Sequence, residues 1–147
     1  MTSQRSMSLK KPNNQDHPIG VHIIEQSNGD KIWYDGRTVH RLGGPAIEQF
    51  DGTKVWYHLG SKHRVNGPAV ESFDGRQEWW FGNRLHRLDG PAVISAIGNK
   101  HWFVNGIRHR IGGPAVEYTD GTVEWWYKGE QITENNKELF VKMMMEE

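Results

Sequence analysis

The sequence predicts an all-β fold: a solenoid or a single extended, twisted antiparallel sheet of about five 23-residue β-hairpin repeats, closed by a short C-terminal helix. Two observations predict it. The phrase "HRLGGPAI" at His40 returns as "HRVNGPAV", "HRLDGPAV" and "HRIGGPAV", each time 23 residues further on. Five tryptophans keep the same step, and each precedes a second aromatic residue: Trp33 and Tyr34, Trp56 and Tyr57, Trp79 and Trp80, Trp102 and Phe103, Trp125 and Trp126. A fixed period across several slots indicates a repeat architecture, in which each unit packs mainly on its neighbours.

The repeats divide most of the chain into equal units. They cover about residues 17–131. The units are 17–39, 40–62, 63–85, 86–108 and 109–131. The first unit begins in degenerate form at "HPIGVHIIE", and the last fades after "EWWYKGEQIT". Residues 1–16 are polar and lack the period, which predicts a flexible tail.

Each unit carries a hairpin signature: two stretches rich in aromatic and β-branched residues around a turn, as in "PAIEQFDGTKVWY". A two-residue Asp-Gly loop would place Glu71 opposite Glu78, and like charges directly opposed are unfavourable. A three-residue loop, with Gly in the left-handed position, shifts the register by one residue. The resulting pairs are Glu25 with Lys31, Glu48 with Lys54, Glu71 with Gln77 and Ala46 with Trp56. We therefore predict the three-residue loop here, and a looser turn, as in "HLGSK", before each His-Arg pair.

Residues 132–147 predict a C-terminal cap helix. Thr133 or Asn135 is the expected N-cap. An apolar stripe is expected from Leu139, Phe140, Met143 and Met144. Repeat stacks need their last open face covered, so a terminal cap is one interpretation of this helix, and a docking site for a partner is the other.

Composition limits the function classes. Lys plus Arg and Asp plus Glu each number 18, so the neutral chain has no overall attraction for nucleic acid or an anionic membrane, and we expect no nucleic-acid partner. The chain has no cysteine, which excludes disulfides and thiolate chemistry. No stretch is apolar enough for a signal peptide or a membrane span, so we expect no membrane insertion and a soluble, cytoplasmic protein.

The repeated phrases also resemble a known family. With "YTDGTVEWWYKGE" and "VNGIRHR", they resemble a variant of MORN (membrane occupation and recognition nexus) repeats over about residues 17–131. The combination of "EWW" with "HR" and "GPA" is similar to repeats in uncharacterised phage and giant-virus proteins. The resemblance implies a stack of β-hairpins without intrinsic catalysis that acts as a scaffold or binder. In a phage protein, it would imply action on a component of the host. The usual MORN "GxG" is replaced here by "GPA", so lipid binding is not carried over.

The His-Arg column has two interpretations. The arginines could grip phosphates or carboxylates with their planar forks. They could equally pair with a strand Glu, stack on a Trp or hydrogen-bond to turn carbonyls. The uniformity of the column favours this structural role, because ligand sites usually break the regularity of a repeat. The column consists of Arg41, Arg64, Arg87 and Arg110, and of His40, His63, His86 and His109, which are expected to fix the turn before each Gly-Pro-Ala.

The second aromatic of each pair is the other candidate for binding. Adjacent strand residues point to opposite faces, so both rings of a pair cannot enter one layer. Tryptophans at strand spacing are ordinarily core, whereas the second ring could line a surface that stacks on bases, sugars or a protein. These second rings belong to Tyr34, Tyr57, Trp80, Phe103 and Trp126.

Other chemistry is sparse in the sequence. The fourth unit places His101 where Glu78 and Glu124 stand in others, and such a break marks either a functional position or drift in a loop. Column histidines are expected about 10 Å apart, too far to share a metal ion. His58 and His63 show no recognised metal-ligand spacing. We find no phosphate loop or nucleophile motif, and we expect no cofactor and no enzyme.

Two functions follow as hypotheses. The first is a non-catalytic scaffold that binds a host protein through an aromatic, Arg-edged face, acting in the host cytoplasm if the protein is viral. The alternative is a binder that sequesters a nucleotide or another small anionic signal and so counters host defence. Open sheet edges or the C-terminal helix could also drive self-association.

Overall fold

The computed structural model describes residues 20–146; the predicted tail, residues 1–16, lies outside this range. The chain forms one long antiparallel sheet of twelve strands and a row of short hairpins beside it, so the all-β fold with a C-terminal helix is confirmed. The long sheet contains Val21–Glu25, Lys31–Asp35, Thr38–Val39, Ile47–Glu48, Lys54–Val55, Val70–Glu71, Gln77–Glu78, Val93–Ile94, Lys100–His101, Val116–Glu117, Val123–Tyr127 and Glu130–Ile132. The short hairpins pair Tyr57–His58 with Ser61–Lys62, Trp80–Phe81 with Arg84–Leu85, and Phe103–Val104 with Ile107–Arg108.

The Asp-Gly turn has the predicted three-residue loop. In the second unit, the Gln49 N–H donates to the Thr53 carbonyl at 2.8 Å, and Gly52 has φ of 94°. Glu25 pairs with Lys31, Glu48 with Lys54 and Glu71 with Gln77, as expected. The register therefore avoids the opposed glutamates of the alternative loop, and places Val70 rather than Glu71 opposite Glu78.

The second turn of the unit was expected to be the looser one, and that expectation is wrong. His58 pairs with Ser61, which leaves a loop of only Leu59 and Gly60. Both residues have positive φ, at 47° and 79°. That geometry suits a two-residue hairpin, whose backbone twist matches the twist of its strands. Leu59 does not favour positive φ, which hid the tight turn in this unit, whereas Asn105-Gly106, with φ of 50° and 79°, signals it in the fourth unit.

Successive strands give the long sheet two contrasting faces. One row alternates in charge along most of its length: Glu25, Lys31, Glu48, Lys54, Glu71, Gln77, Ile94, Lys100, Glu117 and Val123. The adjacent row, on the opposite face, is mainly apolar: Ile24, Ile32, Ile47, Val55, Val70, Glu78, Val93, His101, Val116 and Glu124. Opposite charges across strands and branched apolar pairs both stabilise neighbouring units in this register.

A small core runs along the stack between units. The alanine of each Gly-Pro-Ala phrase has no exposed surface: Ala46, Ala69, Ala92 and Ala115. The carbonyl of each of these alanines accepts a 2.8 Å hydrogen bond from the leading Trp of the preceding unit, as in Trp56 N–H to Ala69. The carbonyl of the same Trp accepts a hydrogen bond from the His that begins the phrase of that alanine. For example, the His63 N–H donates to the Trp56 carbonyl at 3.1 Å. The phrase therefore ties each unit to the next through its backbone.

The C-terminal helix spans Lys137–Met145. Its N-cap is Asn136, so neither predicted N-cap is correct; the Asn136 Oδ1 instead accepts from the Thr133 N–H at 2.6 Å. Phe140 is 2% exposed and meets the Tyr127 ring edge-on at a centroid distance of 6.0 Å.

The expected apolar stripe of the helix is only partly buried. Leu139, Met143 and Met144 are exposed, so Phe140 alone packs the helix on the last hairpin. In residues 20–146, no helix has the length and apolarity needed to cross a bilayer.

Candidate binding surface

The arginines of the His-Arg column lie over the leading tryptophans. Each guanidinium carbon sits close to the centroid of an indole ring: Arg41 over Trp33 at 4.0 Å, Arg64 over Trp56 at 3.8 Å, Arg87 over Trp79 at 4.1 Å and Arg110 over Trp102 at 3.9 Å. Such stacking stabilises a partly buried cation by about 0.5–2 kcal/mol. The arginine side chains thus act as lids on the Trp row.

Each lid is also hydrogen-bonded. The Arg64 Nη1 donates to the Pro68 carbonyl at 3.0 Å and to a Glu71 carboxylate oxygen at 2.7 Å. Arg41 and Arg110 make the same pair of contacts in their units. The three structural roles expected for these arginines therefore occur together in one side chain. Both bonds come from Nη1, one of the three guanidinium nitrogens, and they fix the side chain over the indole while its charge is paired with a carboxylate.

Arg87 departs from the pattern because its unit has Ile94 in the place of the strand Glu. Its Nη1 still donates to the Pro91 carbonyl at 3.3 Å, but its Nε donates to Asp89 at 2.9 Å instead. That hydrogen bond and the charge of Arg87 lower the pKa of the Asp89 carboxyl. The lids also explain Gly90: a Cβ there would lie 2.8 Å from the Arg87 guanidinium carbon.

The column histidines fix a turn, but not the one expected. The Nδ1 of His40 accepts from the Leu59 N–H at 3.0 Å, 19 residues further along the chain. The same bond joins His63 to Gly82, His86 to Asn105 and His109 to Lys128. Each His therefore holds the two-residue turn near the end of its own unit, which requires an unprotonated Nδ1.

Sequence reasoning missed a stack of rings between these histidines. The His58 ring lies 5.0 Å from His40 and 5.9 Å from His63, so it fills the gap between two column positions. Phe81 occupies the same slot one unit later, at 4.4 Å from His63 and 6.0 Å from His86. Burial and the neighbouring charge of His58 both lower the pKa of His63. In residues 20–146, no three His, Asp or Glu side chains form a metal-binding group.

We expect His58→Phe to make the fold less sensitive to acid. The folded-state pKa of His63 lies below its unfolded value of about 6.5. The stabilisation is therefore fully present above about pH 6.5 and is lost as the pH falls through the lowered pKa. A Phe at position 58 removes one charge from the stack and adds ring contacts of about 1 kcal/mol. Thermal unfolding at pH 7.5 and 5.5 measures both effects.

The matched control is His22→Phe, which replaces the histidine of the first strand, Val21–Glu25. It should leave the fall in melting temperature between the two pH values as in the wild type. An unchanged acid response in His58→Phe would show that His58 does not affect the protonation of the stack.

The second aromatic residues lie on the face opposite the lids, and all five are half-buried. Lys62 Nζ lies 4.2 Å over the Trp80 ring, and the Arg108 guanidinium lies 4.9 Å over Trp126. The two indole N–H groups each donate at 2.7 Å to the glutamate two residues earlier, Glu78 and Glu124. Cations from the preceding hairpin thus cover part of the surface that was expected to be open.

His101 lies in the middle of this face. It stands opposite Val93 and Val116 in the sheet, and it meets the Tyr118 ring edge-on at 6.2 Å. Burial, then the charge of Arg108, lowers the pKa of His101, while Glu124 acts in the opposite direction. The break in the repeat therefore places a neutral imidazole among charged groups.

A row of exposed aliphatic residues was missed by sequence reasoning. The residue after each His-Arg pair is 70% to 80% exposed in four successive units: Leu42, Val65, Leu88 and Ile111. The sequence did carry a signal for this row, because an aliphatic residue follows His-Arg in each of the four phrases. We call these four residues the aliphatic row.

Shallow grooves separate the members of the aliphatic row. The groove between Leu88 and Ile111 has a volume of about 620 Å³ and reaches Trp102. The groove between Val65 and Leu88 has about 480 Å³, and the one between Leu42 and Val65 about 370 Å³. Knobs and grooves therefore alternate along the lid face of the stack.

Trp125 continues this face at its C-terminal end. It is 46% exposed, whereas Trp102 is 9% exposed. The slot that holds an arginine lid in the preceding units is Thr133 in the last one. Without a lid, the indole of Trp125 is left partly exposed.

The chain was also compared with known proteins. It matches no protein-family model, and no curated protein sequence matches it significantly. The resemblance to MORN repeats therefore stays an expectation from the sequence.

Proposed function

We propose that this protein is a non-catalytic repeat scaffold that binds a protein partner along the aliphatic row. The observation that carries the proposal is the exposure of Leu42, Val65, Leu88 and Ile111 in the same slot of four successive units. Exposed apolar residues that recur along one surface in this way are typical of an interaction site. The resemblance of the repeats to those of phage and giant-virus proteins supports a host protein as the partner.

The spacing of the row suits an extended partner. Equivalent residues of neighbouring units are two strands apart, about 10 Å, so four knobs extend over about 30 Å. Seven residues of an α-helix rise about 10.5 Å. An amphipathic helix with apolar residues every seven positions would therefore place one side chain in each groove.

The open indole of Trp125 supports the same surface. Tryptophan is enriched among the residues that dominate binding energy, particularly at the buried centre of an interface. The column arginines support a protein partner over a bound anion, because each already has an ion pair with a carboxylate, as Arg64 has with Glu71 at 2.7 Å. They form the polar rim beside the apolar row.

The experiment compares affinity captures from an extract of host cells. The bait is the wild-type chain or a row variant in which Leu42, Val65, Leu88 and Ile111 are replaced by Ser. We expect a partner that the wild type captures stoichiometrically and the row variant captures at least about tenfold less, since each deleted anchor costs about 1 kcal/mol or more.

The control variant removes equally exposed apolar side chains elsewhere: Phe50→Ser, Phe73→Ser and Ile97→Ser at the hairpin tips. This variant should capture the partner as the wild type does. Capture that is equal for the wild type and the row variant, or lost only in the tip variant, would contradict the proposal.

A further inference from the structure

Arg108 lies on the face of the sheet away from the aliphatic row. It ends the short strand Ile107–Arg108, and its guanidinium lies between two rings, 5.3 Å from the Phe103 centroid and 4.9 Å from the Trp126 centroid. Because Trp125 and Trp126 are adjacent in one strand, their side chains point to opposite faces. A site at Arg108 is therefore separate from the proposed protein-binding surface.

The guanidinium is held in place but lacks acceptors. Its Nε is buried, and no acceptor for it exists among residues 20–146. Arg64 and its equivalents, by contrast, donate to a carbonyl and a carboxylate. A cation without acceptors in the protein is unfavourable, and since a ligand cannot reach the buried Nε, a compensating anion must bind the outer Nη nitrogens.

The carboxylate that feels the charge of Arg108, that of Glu124, is already engaged. One Glu124 oxygen accepts from the Trp126 indole N–H at 2.7 Å, and the other accepts from the Tyr118 hydroxyl at 2.8 Å. These bonds lower the pKa of Glu124, and the bond from Trp126 has the larger effect. Glu124 thus stays ionised and bound to its neighbours, while the half-buried Arg108 keeps its outer nitrogens for another acceptor.

The position also breaks the repeat. The slot of Arg108 holds Lys62, Leu85 and Gln131 in other units, and the same unit carries His101 in place of a glutamate. That replacement removes one carboxylate from the surroundings of Arg108. Arg76, the other cation whose charge reaches His101, is paired with Glu78 at 2.6 Å. Arg108 is thus the cation of this cluster without an ion pair within residues 20–146.

We propose that Arg108 is the anion-binding residue of a site for a small phosphate monoester, framed by Phe103, Trp126 and His101. The outer N–H groups of a guanidinium match the spacing of two phosphate oxygens. The flanking rings fix the orientation of the guanidinium and would contact an aromatic group carried by the phosphate. A nucleoside monophosphate combines both features. The carboxylate of Glu124 repels the ligand, so the expected dissociation constant is about 1 mM, or −4 kcal/mol.

The test is an NMR titration of the ¹⁵N-labelled full chain with inorganic phosphate and, separately, with adenosine monophosphate, at constant ionic strength. We expect both ligands to shift the Arg108 Nε–H and Trp126 indole signals, and the nucleotide to bind several-fold more tightly. Equal affinities for phosphate and adenosine monophosphate would support the phosphate site and show that the base does not contribute to binding. No shift of either signal at about 20 mM ligand would overturn the proposal.

Two variants use residues that other units already carry in this slot. Arg108→Leu copies Leu85 and should fold normally while reducing the affinity for phosphate by at least about tenfold. Lys62→Leu makes the same change two units earlier and should bind as the wild type does. If Arg108→Leu binds phosphate like the wild type, or Lys62→Leu loses binding equally, the proposed site is wrong. Melting temperatures of both variants verify that they are folded.

Discussion

Ala69→Leu should lower the free energy of unfolding by about 3 kcal/mol, through overpacking of a closed site. Ala69 has no exposed surface, and its carbonyl accepts the Trp56 N–H at 2.8 Å. A larger side chain must displace either Trp56 or the next unit. Either shift would also disturb the backbone hydrogen bond that joins the two units. In a chain of this size, the melting temperature should fall by about 10 °C, measurable by circular dichroism.

The matched control is Ala96→Leu, which makes the same substitution at an exposed hairpin tip. Its free energy of unfolding should stay within about 0.5 kcal/mol of the wild type. Equal stability of Ala69→Leu and Ala96→Leu would mean that the leading Trp residues and the Gly-Pro-Ala phrases do not pack as described.

Arg64→Ala should have the second largest effect, a loss of about 2 kcal/mol. The variant removes the stacking on Trp56, the bond to the Pro68 carbonyl and the ion pair with Glu71. Because the Arg64 side chain is 29% exposed, the ion pair contributes little, and most of the loss comes from stacking and the carbonyl bond. Chemical denaturation followed by Trp fluorescence measures it, and the fluorescence should also report a more exposed Trp56.

Two further variants separate charge from geometry. Arg64→Lys keeps the charge but loses the planar fork, so its stability should lie between those of the wild type and Arg64→Ala. Arg84→Ala removes an exposed arginine of the adjacent short hairpin and should be neutral. If Arg64→Lys is as stable as the wild type, the planar, stacked geometry of the guanidinium does not stabilise the fold.

Local sequence rules were sufficient for much of the architecture. The period located each unit, and the unfavourable opposition of Glu71 and Glu78 selected the three-residue turn found in the structure. The same reasoning overlooked the Asn105-Gly106 signal at the second turn of the fourth unit, and it failed at Leu59 and Lys128, which adopt positive φ without being Gly or Asn. Turn chemistry that depends on unusual residues gives no local signal.

The candidate site was harder to predict because it depends on contacts between units. The position of His58 between His40 and His63 follows from the stacking of one hairpin on the next, which the sequence does not specify. Likewise, Lys62 covers Trp80 from the preceding unit. The exposure of Trp125, in contrast, could have been predicted, because Thr133 occupies the position that holds the stacking arginine in the preceding units.

The most direct measurement is of the hydrogen bonds that join successive units, by NMR scalar couplings across the bond from the Trp amide nitrogen to the Ala carbonyl carbon. We expect four such couplings, one at each unit boundary: Trp33 with Ala46, Trp56 with Ala69, Trp79 with Ala92 and Trp102 with Ala115. Couplings from these tryptophans to other carbonyls, or a helical pattern of couplings between residues 40 and 130, would contradict the stack of hairpins.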